Sequence, residues 1–171
     1  MFKYTYIYHA TDCTIDTFDL NHLHGGEHNF GPGIYFSTNA DNIDFYLNDD
    51  PNGRIHKTKI NLEGQVKWYD LITNNQVKLM LKSFPFELKK ELKKELFEKY
   101  KNKNYLYVFD NLPFEIWRID NTNHEVILKN FLLKMSEKTG ITSMFAQNGT
   151  FRDEVVVFNP SCLEIVEIIK K

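Results

Sequence analysis

Phe2, Tyr4, Tyr6 and Tyr8 recur at every second position, the period of an extended strand with one face aromatic, so Lys3–His9 reads as the first strand. A polar stretch follows from Ala10 to Pro32, punctuated by turn signals at His24-Gly25-Gly26 and Gly31-Pro32-Gly33. Ile34-Tyr35-Phe36 is a short second strand. Ser37-Thr38-Asn39 then offers N-cap residues for a short helix reaching about Leu47. Past the turn cluster Asn48–Gly53, His56, Thr58, Ile60 and Leu62 alternate along a third strand, and Val66–Tyr69 extends the sheet beyond Gly64.

The middle of the chain changes period. Gln76–Leu81 and Phe86–Lys99 read as helices, the second opened by Pro85, with Leu88, Leu92, Leu96 and Tyr100 forming an i, i+4 stripe. Tyr105–Phe109 is aromatic and β-branched and reads as a strand. Glu125–Met135 reads as a buried helix. Two strands close the chain, the apolar run Glu154–Phe158 and, beyond Asn159-Pro160, Cys162–Ile169. Strands at both ends around a helical middle predict an α+β fold, a single domain over residues 1–171 whose mainly helical insertion spans about 73–138.

Composition narrows the partners. The chain is 42% hydrophobic and 26% charged, as a globular domain is. Aromatic residues reach 15%, with nine Tyr and fourteen Phe, which need either a thick core or a surface on which a flat ligand stacks. A formal net charge of -2 excludes a global basic field of the kind that grips nucleic acid. In the Lys-rich helix, lysines interleave with Glu87, Glu91, Glu95 and Glu98 as a solvated face of i, i+4 pairs, and only Lys101 and Lys103 lack acidic company. Cys13 and Cys162 are far apart and read as unpaired buried thiols. Neither a signal peptide nor a membrane-length apolar run is legible. The expectation is a soluble cytoplasmic protein without membrane association, or one delivered into another cell's cytosol without a recognisable signal.

Three separated segments carry candidate chemistry: Tyr8-His9-Ala10-Thr11, Gly31-Pro32-Gly33-Ile34-Tyr35-Phe36-Ser37 with Tyr46 beyond it, and Arg152-Asp153-Glu154. A strand-end His offers one ring nitrogen as donor and the other as acceptor, which suits a ribose hydroxyl. Glycine at 31 and 33 permits close backbone approach. Tyr35 and Tyr46 are flat faces able to sandwich a ring, a cationic ring included. Glu154 opens an apolar strand, so its carboxylate sits at the rim of a core. Each also has an ordinary structural use, as an exposed His, core tyrosines and an edge charge.

Taken in order, these segments resemble the His-Tyr-Glu triad of the ADP-ribosyltransferases of the poly(ADP-ribose) polymerase and diphtheria-toxin class. His9-Ala10-Thr11 is similar to the family's His-Gly-Ser/Thr, Gly33-Ile34-Tyr35-Phe36 to its Gly-Ile-Tyr-Phe, Tyr46 to its second stacking tyrosine, and Asp153–Pro160 to its last triad strand. The resemblance implies a split mixed sheet, with His9 and Glu154 around one cleft. It implies NAD as co-substrate, held by His9, Ala10, Thr11, Gly33, Tyr35, Phe36, Ser37 and Tyr46, with Glu154, His9 and Tyr35 catalytic. The segment Ala146–Asp153 becomes an acceptor-selecting loop. Ala10 stands where the family has Gly, and Ile43 where the polymerases have a Ser that bonds nicotinamide.

The implied activity is mono-ADP-ribosyl transfer. The nicotinamide–ribose bond breaks without protonation of the leaving ring, Glu154 stabilises an oxocarbenium-like ribose, and a macromolecular acceptor, protein or nucleic acid, takes the ADP-ribose. Neither metal nor second cofactor is required. A Rossmann site is excluded for want of Gly-x-Gly-x-x-Gly. His22, His24 and His28, with Glu27 and His9, lack the spacing of an ordinary zinc site and read as a loop covering the adenosine side of the pocket. The alternatives are an inactive NAD- or ADP-ribose-binding module and an NAD-dependent RNA 2′-phosphotransferase, the latter disfavoured by a first half that is not basic. Arg152, two before Glu154, disfavours arginine as acceptor.

Overall fold

The computed structural model describes residues 4–22, 32–43, 47, 52–148 and 152–170. These residues form a seven-stranded mixed sheet with four α-helices. The strands are β1 (Tyr4–Thr11), β2 (Ile34–Ser37), β3 (Arg54–Asn61), β4 (Gln65–Lys67), β5 (Ser143–Asn148), β6 (Arg152–Val157) and β7 (Leu163–Lys170). Across the sheet they run β4-β5-β6-β2-β1-β3-β7. Only β4 and β5 pair in parallel; the other neighbours are antiparallel.

The helices α1 (Asn74–Leu81), α2 (Lys90–Tyr100), α3 (Tyr105–Ile119) and α4 (His124–Thr139) arise from the middle of the chain. Thr73 and Gln76 make a reciprocal capping box at the start of α1, so two first-turn donors are satisfied. Gly140, at φ 74°, ends α4 in the left-handed conformation that a Cβ disfavours.

These helices bury their apolar stripes on one face of the sheet. Val77, Leu96, Phe109, Leu112, Phe131 and Met135 meet Met144, Val156 and Phe158 there, with Phe109 and Phe158 stacked at 4.2 Å. The opposite face carries a second core of Ile7, Phe36, Ile60, Val155 and Val157, with Phe18 and Leu163 packed against it. β6 alternates between the two, so its apolar run serves both faces and its continuous hydrophobicity follows.

Three sequence expectations change, and the position of the aromatic face of β1, left open by the sequence, is decided. The aromatic face of β1 is not core: Tyr4 and Tyr6 are each 49% exposed, while Ile7 on the other face is fully buried. The cross-strand lysines explain why that face tolerates water, since Lys59 Nζ lies 4.6 Å from the Tyr4 ring and Lys57 Nζ 5.1 Å from that of Tyr6. The same lysines pair with Glu164 and Glu167 of β7. Residues 105–109 are the first turns of α3 rather than a strand. Asn104 caps Tyr107 N–H at 2.8 Å, and Tyr105, Val108, Phe109, Leu112 and Ile116 form its buried side, a 3.6-residue period hidden by aromatic content. The helix expected over Phe86–Lys99 starts only at Lys90, because Phe84 and Leu88 are buried from an irregular approach. Residues 143–148 form β5, which the sequence reading missed. Ala146–Asp153 is therefore largely the arms of a β5–β6 hairpin rather than a loop, and 149–151 lie outside the described residues.

Charges and thiols also differ from expectation. Lys101 does have an acidic partner, Glu98 at 2.5 Å. Cys13 and Cys162 are free, but Cys13 is exposed and only Cys162 is partly buried, where burial pushes its thiol pKa up to about 11. Among the described residues no helix is long and apolar enough to cross a membrane.

Candidate functional site

β1, β2 and β6 are neighbours, so His9, Tyr35 and Glu154 come from three adjacent strands although they are far apart in the chain. The junctions on the two sides of β2 differ. β2 pairs with β6 at four consecutive positions, with Ser37 opposite Glu154 and Tyr35 opposite Val156. β1 and β3 pair at eight positions. Between β1 and β2 there is a single rung, Tyr8 opposite Ser37. Beyond it His9-Ala10-Thr11 and Ile34-Tyr35-Phe36 flank a seam that no strand ladder closes. The seven strands nonetheless form one connected sheet, in which β1 and β2 are joined at that rung.

His9 bridges the seam. Its Nδ1–H donates to the Tyr35 carbonyl at 2.8 Å. A carbonyl only accepts, so this bond assigns the proton to Nδ1 and leaves Nε2 as the acceptor of a neutral ring. Burial lowers the His9 pKa from its ordinary value, and the bond to Tyr35 acts in the opposite sense. Phe18 meets the imidazole edge-on at 5.3 Å, with the tilted Phe36 ring at 5.4 Å.

The faces of the sheet separate the expected triad. Residues directly opposite on paired strands share a face, so Tyr8, Ser37 and Glu154 lie on one side with Tyr35, two residues from Ser37. His9 projects from the other side with Phe36 and Phe18. A single cleft lined from one face by both His9 and Glu154 is thus corrected: the two side chains leave opposite faces of the sheet, with β2 between their strands. Glu154 is 7% exposed, between Ser37 on β2 and Ala146 on β5.

The other expected contacts divide similarly. The Tyr35 side chain packs against the helix-side core. Phe36 is buried in the second core. Ser37 donates its hydroxyl to the Asn39 carbonyl and accepts from Asn39 N–H, a local turn. Thr11 Oγ1 accepts from Cys13 N–H. Ala10 and Tyr8 pack on Ile43, Leu47 and Ile55, a third small core that explains an aliphatic residue at 43. Gly33 is required by packing: a Cβ there would lie 2.4 Å from Val156 Cγ1 and 2.9 Å from the Val157 carbonyl. Tyr46, Gly31, His24, Glu27 and His28 fall outside the described residues, as does the expected loop over the adenosine side; of His22 only the backbone is described.

A residue to which the sequence reading gives no functional role organises the His9 face. His56 stands directly opposite His9 on β3 and is fully buried. Its Nε2 accepts from Ile15 N–H at 3.0 Å, so its proton sits on Nδ1, which is buried and completes no hydrogen bond among the described residues. Burial lowers its pKa, and the neighbouring His9 and Arg54 act the same way, against the influence of the His9 backbone. The Ile15 bond holds the segment that carries Phe18 onto His9. The available signal was a polar ring at an inward-facing position of an alternating strand. Set against protein-family models, curated proteins and solved structures, the chain matches none.

Proposed function

We propose that this protein binds NAD at the β1–β2 seam and transfers ADP-ribose to a macromolecular acceptor, on a fold of the ADP-ribosyltransferase type. One observation carries the reading: the two segments that resemble the family's NAD-binding motifs flank a junction that, among the described residues, a single rung joins, and Glu154 stands on the next strand. An extended dinucleotide entering such a seam meets groups from both faces of the sheet. His9 Nε2, left as an acceptor by the Tyr35 bond, would take a ribose hydroxyl. Tyr35 would stack on nicotinamide, and Glu154 would bond the nicotinamide-ribose 2′-hydroxyl. The C1′–nicotinamide bond breaks with its electron pair going to the ring, a C1′–acceptor bond forms, and the acceptor's proton passes to solvent or Glu154. The carboxylate then acts mainly on the positive charge developing in the ribose.

The separation of His9 and Glu154 across the sheet favours a second reading, a module that binds NAD or ADP-ribose without turnover. Glu154→Gln distinguishes the two. For the enzyme, NAD binding survives and single-turnover release of nicotinamide falls by roughly 10²–10³, about 3–4 kcal/mol in the barrier. Asp153→Asn, on the other face, retains activity. Equal release by Glu154→Gln and the unsubstituted protein rejects the enzyme and leaves the binding module.

A further inference from the structure

The helical layer carries a second feature that is independent of the seam. Between α1 and α2 lies a groove of about 320 Å³. It is lined by Leu81, Phe97 and five lysines, whose aliphatic stems make the lining mainly apolar: Lys78 and Lys82 from α1 and its C-cap, and Lys90, Lys93 and Lys94 from α2. Helical spacing explains the convergence. Lys90, Lys93, Lys94 and Phe97 are at i, i+3, i+4 and i+7, one stripe of α2. Glu91, Glu95 and Glu98 form a different stripe.

Two of these, Glu95 and Glu98, are committed elsewhere. Glu95 holds Arg118 of α3 at 2.8 Å, Glu98 holds Lys101 at 2.5 Å, and Lys99 reaches Glu115 at 2.5 Å. Among the described residues none of the five groove lysines has an ion pair. Lys78 and Lys82 lie at the C-terminal end of α1, which its dipole makes favourable for cations, but the spacing of these lysines and the position of those on α2 oppose local helix energetics. Lys78–Lys82 and Lys90–Lys94 are like-charge i, i+4 pairs, and Lys90 and Lys93 sit in the opening turns of α2, at the positive end of its dipole. A chain of net charge -2 has no compositional need to gather five cations at one groove.

We propose that this groove binds single-stranded nucleic acid, lysines on the phosphates and the apolar lining against the bases. The cations choose the ligand. All five are lysines, point charges suited to phosphate, whereas recognition of carboxylates favours the planar fork of arginine. The partly exposed Phe97 ring, with Lys78 Nζ 6.0 Å from its centroid, supplies the aromatic surface that single strands use without sequence preference. The site would hold a nucleic-acid acceptor near the enzyme, yet it stands or falls apart from NAD cleavage.

The test is fluorescence anisotropy with a labelled oligothymidylate strand over a series of salt concentrations, using the full chain. Binding should weaken with salt. In the triple variant Lys90→Gln, Lys93→Gln, Lys94→Gln the slope of log affinity against log salt should fall by about 2, since each phosphate contact on a single strand contributes roughly 0.7. Affinity should drop at least about tenfold. Lys134→Gln with Lys138→Gln on α4, equally conservative, should leave binding unchanged. No binding at low salt, or equal binding by the triple variant, overturns the proposal. Stronger competition by polyglutamate than by unlabelled strand overturns it in favour of an acidic protein partner.

Discussion

At the scale of single residues, the His9 face depends on His56 as much as on His9. The Ile15 N–H can be accepted by His56 Nε2 only while that imidazole is neutral. Its folded pKa is lowered, so the neutral form is favoured by folding, and this contribution is fully present above the unfolded value near 6.5. It is lost as pH falls through the folded pKa, because the unfolded chain then binds the extra proton. Amide exchange at Ile15 should therefore accelerate on acidification beyond the intrinsic trend. In His56→Gln the amide oxygen can replace Nε2 without titrating, so that acceleration should vanish. In His56→Leu the amide should exchange fast at every pH. Protection at Ile15 that is independent of pH in the unsubstituted protein would show that His56 does not hold the segment. His9, Tyr35 and Glu154 were legible as candidates because each has a distinctive chemical neighbourhood along the chain. His56 was not, because its use comes from the strand beside it.

At the scale of elements, local capping and tertiary packing contribute in different proportions. α1 is announced by Thr73 and Gln76, while α3 was misread because Tyr105–Phe109 has the composition of a strand. Asn104 decides that boundary. Its side chain takes the Tyr107 N–H, and the apolar side thereafter follows the helical period. Asn104→Ala should cost about 1 kcal/mol in urea unfolding without altering the slope with denaturant. A loss below about 0.3 kcal/mol would mean that packing alone sets the start of α3. β5 escaped notice for a complementary reason: Ser143–Asn148 lacks a β-branched run, and its strand form comes from β6 on one side and β4 on the other.

At the scale of the whole molecule, β6 joins the cores. Val156 and, just past the strand, Phe158 pack with the helices, whereas Val155 and Val157 pack on the opposite face. The helical middle and the strands should therefore unfold together, with coincident transitions by near- and far-ultraviolet circular dichroism. Phe158→Ala, which removes the ring stacked on Phe109, should destabilise that single transition by about 3–5 kcal/mol. A separate early transition of the helices would divide the chain into two units. The amino-acid sequence by itself determined the α+β class, the strands at both ends, helices in the middle and the motif segments, because periodicity, turn residues and caps act within a few positions along the chain. Only the tertiary structure decided the strand order, the parting of β1 from β2, the exposure of the tyrosine face, and the placement of His9 and Glu154 on opposite sides of the sheet. Those depend on register between distant strands, and a one-residue change in register reverses the face of every side chain.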